Sequence, residues 1–209
     1  MTQLLLVPGS TRRGSLNAQL LRHMACELTG ACEIDVLAPE QVDLPIFDQD
    51  LESEPSIRAR VAALRARFSA CDGLIVASPE HNGQVPAYLK NLVDWVSRLP
   101  HVDAQFDNPF LDKPLLLCSA STGWSGGALG LVHARALFSY LGCVVLGDVV
   151  TQPHAAHAWC EDGFLLDPFL DEHIASVTQR LLSLAQHFSA HHPRIPSHRT
   201  FAHESVPQA

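Results

Sequence analysis

Residues 8–17 combine hydroxyl, guanidinium and amide groups in one short stretch, which is the chemistry of an anion-binding loop. The polar side chains of this first loop include Ser10, Thr11, Arg12, Ser15 and Asn17. They stand at the start of a predicted helix, where free backbone N–H groups and the positive end of the helix dipole attract an anion. We therefore expect a cradle for a single phosphate. The competing interpretation is that Ser15 only caps the helix and that Arg12 is solvated.

The glycines of the first loop do not complete a nucleotide-binding fingerprint. Gly9 and Gly14 have the spacing that opens a P-loop, but Ser15 and Leu16 stand where that motif needs Lys followed by Ser or Thr. A nucleoside triphosphate would lack both its phosphate-binding cation and its magnesium-binding hydroxyl. The loop also contains no GxGxxG, which argues against a dinucleotide at this turn.

Two further loops carry polar residues and glycines after apolar runs. The second loop, residues 78–86, reads SPEHNGQVP, and the third loop, residues 119–127, reads SASTGWSGG. Taken alone, Asn82-Gly83 followed by Pro86 is ordinary chemistry for a turn and a helix start. The second loop therefore needs a larger pattern before a ligand can be inferred.

Strand-like runs alternate with helical periodicity along the chain, and this alternation positions all three loops. Apolar runs typical of strands cover residues 4–7, 32–37, 73–78, 113–121 and 143–150. Helical periodicity covers residues 15–28, 57–68, 88–96, 128–141 and 168–188. Helical crossovers join parallel strands and cover both faces of the sheet, so the pattern predicts one α/β domain over residues 1–190. Ligands of such sheets bind beyond the carboxyl ends of the strands, where the three loops lie.

Composition narrows the class of partner. The formal net charge is −8, and Lys and Arg form no stripe, so nucleic acid and anionic membrane are disfavoured as partners and a small molecule is favoured.

Six cysteines without a CxxC pair favour a reducing cytoplasm. The apolar run at residues 4–7 is too short for a signal-peptide core, and no later run approaches a membrane span. Residues 191–209, with three prolines and little periodicity, predict an extended or disordered tail.

The motifs of the three loops form a larger pattern. They are Gly9-Ser10-Thr11-Arg12-Arg13-Gly14-Ser15-Leu16-Asn17; Pro79-Glu80-His81-Asn82 with Pro86, Leu89-Lys90-Asn91 and Asp94-Trp95; and Thr122-Gly123-Trp124-Ser125-Gly126-Gly127. Over about residues 3–150 this pattern resembles the NADPH-dependent FMN reductase family of flavodoxin-like proteins. The resemblance implies a flavodoxin-like three-layer sandwich, with a five-stranded parallel sheet in the order 2-1-3-4-5 and helices on both faces.

The resemblance also implies a set of FMN-binding residues. Ser10, Arg12, Ser15 and Asn17 would hold the phosphate. Pro79, Glu80, His81, Asn82 and Gly83 would lie along the isoalloxazine ring, where Asn and Gly tolerate unusual backbone angles. Ser121, Thr122, Gly123, Gly126 and Gly127 would close the other side, and the glycine pair would let the fourth helix begin close to the ring. His81 departs from the family, which most often has Tyr at this position.

By resemblance, the protein would bind one FMN, take a hydride from NADPH or NADH, and pass electrons to a small acceptor such as a quinone, azo compound, free flavin or metal oxyanion. The cofactor carries the chemistry, so no catalytic side chain and no metal site are predicted. A homodimer or homotetramer is implied. Two alternatives are a non-enzymatic, flavodoxin-type electron carrier and a module that has kept the fold but lost the cofactor.

The remaining candidates have simpler interpretations. Lys90 and Asp94 are four residues apart on a predicted helix, which favours a surface ion pair over a subunit contact. Two groups of zinc-ligand types lack a full ligand set and are weaker candidates: His187 with His191, and His154 with His157 and Cys160.

Overall fold

Five parallel strands and five α-helices alternate along the described part of the chain. The structure, a computed structural model, describes residues 1–102 and 108–191. The strands are β1 (Gln3–Pro8), β2 (Glu33–Val36), β3 (Gly73–Ala77), β4 (Pro114–Ala120) and β5 (Val144–Gln152). The helices are α1 (Leu16–Glu27), α2 (Pro55–Ala70), α3 (Ala87–Val102), α4 (Ala128–Tyr140) and α5 (Pro168–His191). All strand pairs are parallel and the order is β2-β1-β3-β4-β5, so the predicted flavodoxin-like sheet is confirmed.

Each central strand sends alternate side chains into two apolar cores, because successive side chains of a strand point to opposite faces. In β1, Leu4 and Leu6 pack with α1 and α5, whereas Leu5 and Val7 pack with α2, α3 and α4. All four side chains are at most 1% exposed. This double burial explains why the strand reads as an uninterrupted apolar run rather than an alternating one.

The sheet order brings the three loops together. β1, β3 and β4 are the three central strands, and all of them run in the same direction. Their carboxyl ends therefore lie side by side, and the first, second and third loops emerge at one edge of the sheet.

The boundaries differ from the sequence prediction at a few places. β5 ends at Gln152 rather than residue 150, because Gln152 pairs in register with Ala120 of β4. The predicted loop between β2 and α2 contains two short 3₁₀ helices, Pro39–Gln41 and Gln49–Ser53. Helix α5 continues to His191, three residues beyond the predicted end. His191, the first residue of the predicted tail, is therefore helical, and residues 192–209 lie outside the described part of the chain.

Residues 89–95, the second half of the second-loop motif, stabilise the fold. Lys90 Nζ lies 2.6 Å from Asp94 Oδ1, which confirms the predicted ion pair on the helix surface. The Asn91 side chain donates to the Pro45 carbonyl and accepts from the Phe47 N–H, and Trp95 Nε1 also donates to Pro45. Asn91 and Trp95 thus fasten the segment between β2 and α2 onto α3.

The six cysteines, all within the described residues, form no disulfide. Burial raises the pKa of Cys143 to about 12 and raises that of Cys118 as well, so both stay protonated and pack as small apolar groups. Within the described residues, no helix combines the length and the apolar character that crossing a membrane requires.

Candidate functional site

The three loops enclose a cleft of about 660 Å³ at the carboxyl ends of β1, β3 and β4. Its volume lies in the range of small-molecule and cofactor sites. The predicted site residues that line it are Ser10, Arg12, Ser15, Asn17, Pro79, His81, Ser121 and Thr122. The predicted residues that do not line it are Glu80, Asn82, Gly83, Gly123, Gly126 and Gly127. The first group faces the space a ligand would take, and the second group shapes the same loops.

Sequence reasoning missed several lining residues. They are Gly9, Leu16, Pro86, Ala87, Tyr88 and Ala120. Gly9 makes a close backbone approach, because its N–H donates to the Ala77 carbonyl at 2.7 Å and a Cβ there would lie 3.0 Å from Pro79 Cδ. The sequence alone could have indicated this residue. A glycine directly after a buried strand is a signal for such a close backbone approach. The direction of Tyr88, by contrast, depends on how α3 packs.

The polar groups of the first loop are pre-ordered around the start of α1. Ser15 caps the helix, since its hydroxyl oxygen accepts from the Ala18 N–H at 3.3 Å. The Ser10 hydroxyl oxygen accepts from the Arg12 N–H at 3.2 Å. The expected cap of α1 by Ser15 is therefore present. It does not compete with anion binding, because each hydroxyl still has a proton to donate.

Arg12 gives the cleft its positive charge. The residue is exposed, and its guanidinium makes no ion pair with the residues that the structure describes. None of the described lining residues is acidic. Together with the amino end of α1, this arrangement favours an anionic ligand at the first loop.

Asn17 connects two of the loops. Its side chain is buried, and its amide donates to the Ala120 carbonyl at 2.8 Å and accepts from the Ala120 N–H at 3.0 Å. The predicted phosphate contact remains a prediction. What the geometry establishes is that Asn17 fixes the start of α1 against the end of β4, and so sets the distance between the first and third loops.

The Asn-Gly pair of the second loop forms a tight reverse turn. His81 and Gln84 exchange backbone hydrogen bonds of 3.1 and 3.0 Å, and the φ angles of Asn82 and Gly83 are 53° and 73°. Two successive positive φ angles define a primed two-residue turn, for which Asn-Gly is the preferred sequence. The turn leaves His81 on the wall of the cleft.

The Glu80 side chain makes a structural contact with α4. Its Oε2 accepts from the Gly130 N–H at 2.8 Å, in the first turn of α4. The helix needs this external acceptor because its N-cap, Gly127, has no side chain. The Glu80 carboxylate thus caps α4 and faces the helix rather than the cleft.

We expect Glu80→Ala to lower the free energy of unfolding by about 1–2 kcal/mol, the usual effect of losing a helix cap. Urea denaturation of the apoprotein measures this. Glu54→Ala is the matched control, since Glu54 is exposed at the N-cap of α2 and its side chain makes no capping hydrogen bond. Equal losses in the two variants would show that charge rather than the hydrogen bond to Gly130 matters.

The glycines at the start of α4 are required by protein packing. Gly126 and Gly127 have φ angles of 61° and 87°. A Cβ at Gly126 would lie 3.0 Å from the Pro153 nitrogen, and one at Gly127 would overlap the Ser119 hydroxyl. Within the protein, the close approach that these glycines permit is to β4, to β5 and to the residue after β5. The expected approach to a ring stays a prediction. Gly123 stays exposed and accepts a backbone hydrogen bond from His154.

One cluster of possible metal ligands lies together among the described residues, and it is away from the cleft. His23, Glu27 and Asp171 place their ligand atoms within 4.8 Å of one another, and His23 Nε2 lies 2.6 Å from Asp171 Oδ1. That pair docks α5 on α1. His187 and His191 stack with ring centroids 4.1 Å apart, without a third ligand in the described part of the chain.

The chain is similar in sequence to proteins of known families. The family model of the NADPH-dependent FMN reductases matches residues 2–157. A quinone reductase of Escherichia coli strain K12 is 35% identical over 144 residues, which cover 69% of this chain and 73% of the relative. An NAD(P)H-dependent FMN reductase of Pseudomonas aeruginosa is 29% identical over 176 residues, covering 84% of this chain and 90% of that protein.

A solved structure supports the architecture. FerB, a flavoenzyme NAD(P)H:acceptor oxidoreductase from Paracoccus denitrificans, superimposes with a TM-score of 0.77 at 24% identity. The match covers 90% of this chain and 98% of FerB. At this level of identity the likeness establishes the fold alone.

Proposed function

Because the chain belongs to the NADPH-dependent FMN reductase family, we propose that it is an FMN-dependent NAD(P)H oxidoreductase that delivers electrons to a small acceptor. The observation that carries this proposal is the cleft at the carboxyl ends of β1, β3 and β4, with Arg12 and the start of α1 at one side. A quinone is the favoured acceptor, since the E. coli relative is a quinone reductase. Azo compounds, free flavin and metal oxyanions remain further candidates.

The residues of the cleft fit FMN in charge and in polarity. The guanidinium of Arg12, which makes no ion pair with the described residues, and the hydroxyls of Ser10 and Ser15 suit a phosphate. Apolar and small lining residues suit a flat ring, among them Pro79, Pro86, Ala87 and Ala120.

Bound FMN would supply the two-electron chemistry, and the protein would bind, orient and shield it. We assign the phosphate to Ser10, Arg12 and Ser15. The polar edge of the ring is assigned to the second loop, through Pro79, His81 and the backbone of the turn at Asn82 and Gly83. Ser121 and Thr122 would close the other side, while Asn17, Glu80 and the glycines of the third loop keep the three loops in position.

We also propose that two or four copies assemble in the cytoplasm. The supporting observation is an exposed apolar surface beside the third loop, formed by Trp124, Leu129 and Val132, with exposures of 84%, 54% and 62%. Apolar surface of this kind is often covered by a partner.

Light scattering after size-exclusion chromatography should give the mass of a homodimer or homotetramer, and Trp124→Ser should shift the measured mass towards that of the monomer.

The experiment that tests the function is the absorption spectrum of the purified protein, followed by NADPH or NADH without oxygen. We expect a flavin spectrum that bleaches on addition of the nicotinamide and returns when a quinone is added. A flavin spectrum that does not bleach would favour the electron-carrier alternative. A colourless protein that fails to bind added FMN would show that the cofactor has been lost.

A further inference from the structure

Three side chains with metal-ligand chemistry converge where α5 packs on α1. His23 and Glu27 are four residues apart and therefore lie on one face of α1, and Asp171 lies in the first turn of α5. Their ligand atoms all lie within 4.8 Å of one another. Ligand atoms about 2.0–2.2 Å from a zinc ion lie about 3–4 Å apart, so small side-chain movements would bring all three onto one ion.

The cluster combines one fixed group with two adjustable ones. The His23 side chain is 6% exposed, and its ring meets Trp159 edge to face with ring centroids 5.7 Å apart. The Asp171 side chain is 46% exposed, and Glu27 is exposed at the end of α1. An oriented imidazole beside two accessible carboxylates gives a cation both a defined ligand and a path of entry from solvent.

The charges around His23 favour a cation. Neither Glu27 nor Asp171 forms an ion pair with a Lys or Arg of the described residues. Glu27 is the last residue of α1, and the last turn of that helix contains no basic residue, so its carboxylate adds to the negative end of the helix dipole. His23 Nε2, 2.6 Å from Asp171 Oδ1, interacts with only one of the two carboxylates. A divalent cation would balance both carboxylates and the helix end.

We propose that His23, Glu27 and Asp171 form a binding site for a divalent cation of the zinc class, which joins α1 to α5. His23 Nε2 binds the ion in the tautomer that carries its proton on Nδ1, each carboxylate contributes an oxygen, and water takes the fourth position. An imidazole among the ligands favours Zn²⁺ over Mg²⁺, which prefers oxygen ligands. None of the three residues lines the cleft, so this inference is independent of the proposed function.

Zinc titration of the full chain tests the site, after metal has been removed by dialysis against a chelator. Glu27→Gln removes one ligand and keeps the hydrogen bond between His23 and Asp171. Its Kd for Zn²⁺, measured by competition with an indicator dye, should rise at least about tenfold, because even a change beside a ligand set usually costs that much affinity. Glu172→Gln is the matched control and should bind Zn²⁺ like the wild type, since Glu172 is an exposed carboxylate beside Asp171 that lies outside the cluster.

Thermal unfolding gives a second measurement. Zn²⁺ should raise the midpoint of the wild type and of Glu172→Gln, because an ion that binds only the folded protein stabilises it, and Mg²⁺ at the same concentration should not. Without metal, Glu27→Gln should unfold at a midpoint no lower than that of the wild type, since it loses an uncompensated negative charge.

The outcomes separate the proposed site from a simple hydrogen-bonded pair. A loss of zinc affinity in Glu27→Gln but not in Glu172→Gln would support the site. Equal affinities of the wild type and Glu27→Gln, or a wild type that binds no Zn²⁺, would refute it. A lower midpoint of metal-free Glu27→Gln would overturn the charge argument and the proposal with it. His187→Ala disrupts the stacked histidine pair of α5, and if this variant alone lost zinc binding, the ion would belong to that pair and the proposal would be wrong.

Discussion

Arg12→Ala is expected to weaken FMN binding about 10- to 150-fold, or about 1.5–3 kcal/mol, the range for a hydrogen bond to a charged group. The guanidinium is exposed and has no acidic partner among the described residues, so its removal should leave the apoprotein as stable as the wild type. The loss should therefore appear in ligand affinity alone. Titration of the apoprotein with FMN measures the Kd directly.

Two controls separate a specific phosphate contact from a general effect of charge. Riboflavin lacks the phosphate, so its affinity should change much less than that of FMN. Arg13→Ala removes the same charge from an exposed neighbour that does not line the cleft, and it should have only a small effect. If FMN and riboflavin lost affinity equally in Arg12→Ala, Arg12 would not contact the phosphate.

Gly127→Ala is expected to lower the free energy of unfolding by about 2–5 kcal/mol. Two costs contribute to this value. At a φ of 87° an alanine costs about 1–2 kcal/mol relative to glycine. In addition, the new Cβ would overlap the buried Ser119 hydroxyl and lie 3.0 Å from Ser119 Cβ, and such overpacking costs about 1–3 kcal/mol. Chemical denaturation measures the sum, and FMN affinity should fall as well because the third loop is displaced.

Matched variants separate the two costs. Gly30→Ala places an alanine at a φ of 79° with no atom within 4 Å of the new Cβ, so it should show the backbone cost alone. Ser119→Ala combined with Gly127→Ala should recover part of the loss by removing the overlapping hydroxyl. A Gly127→Ala protein no less stable than Gly30→Ala would mean that the start of α4 is not packed against β4 as described.

Much of the fold could be predicted because its signals are local. The buried runs that became β1 and β3, and the periodicity of α1, are properties of a few consecutive residues, and helical crossovers then impose a parallel sheet. Asn82-Gly83 is local in the same way, since the pair favours two positive φ angles wherever it occurs. Strand order came from the resemblance of the motifs, and the sheet confirms it.

The functions of individual motif residues could not be predicted in this way. Asn17 and Ala120 are 103 residues apart, and Glu80 and Gly130 are 50 apart, so no sequence window contains either hydrogen bond. The sequence placed Asn17 and Glu80 in loops at one end of the sheet, but the hydrogen bonds of the Asn17 amide and the Glu80 carboxylate are made with neighbouring elements.

By itself, then, the sequence determined which loops meet and that they meet at the carboxyl edge of a parallel sheet. Only the tertiary structure decided which side chains face the cleft and which ones hold its walls in place. It also placed Tyr88 on the wall of the cleft, a position that depends on how α3 packs against the sheet. The physical reason is range: backbone periodicity is set by neighbours along the chain, whereas the partner of a side chain is set by whatever the packed core brings beside it.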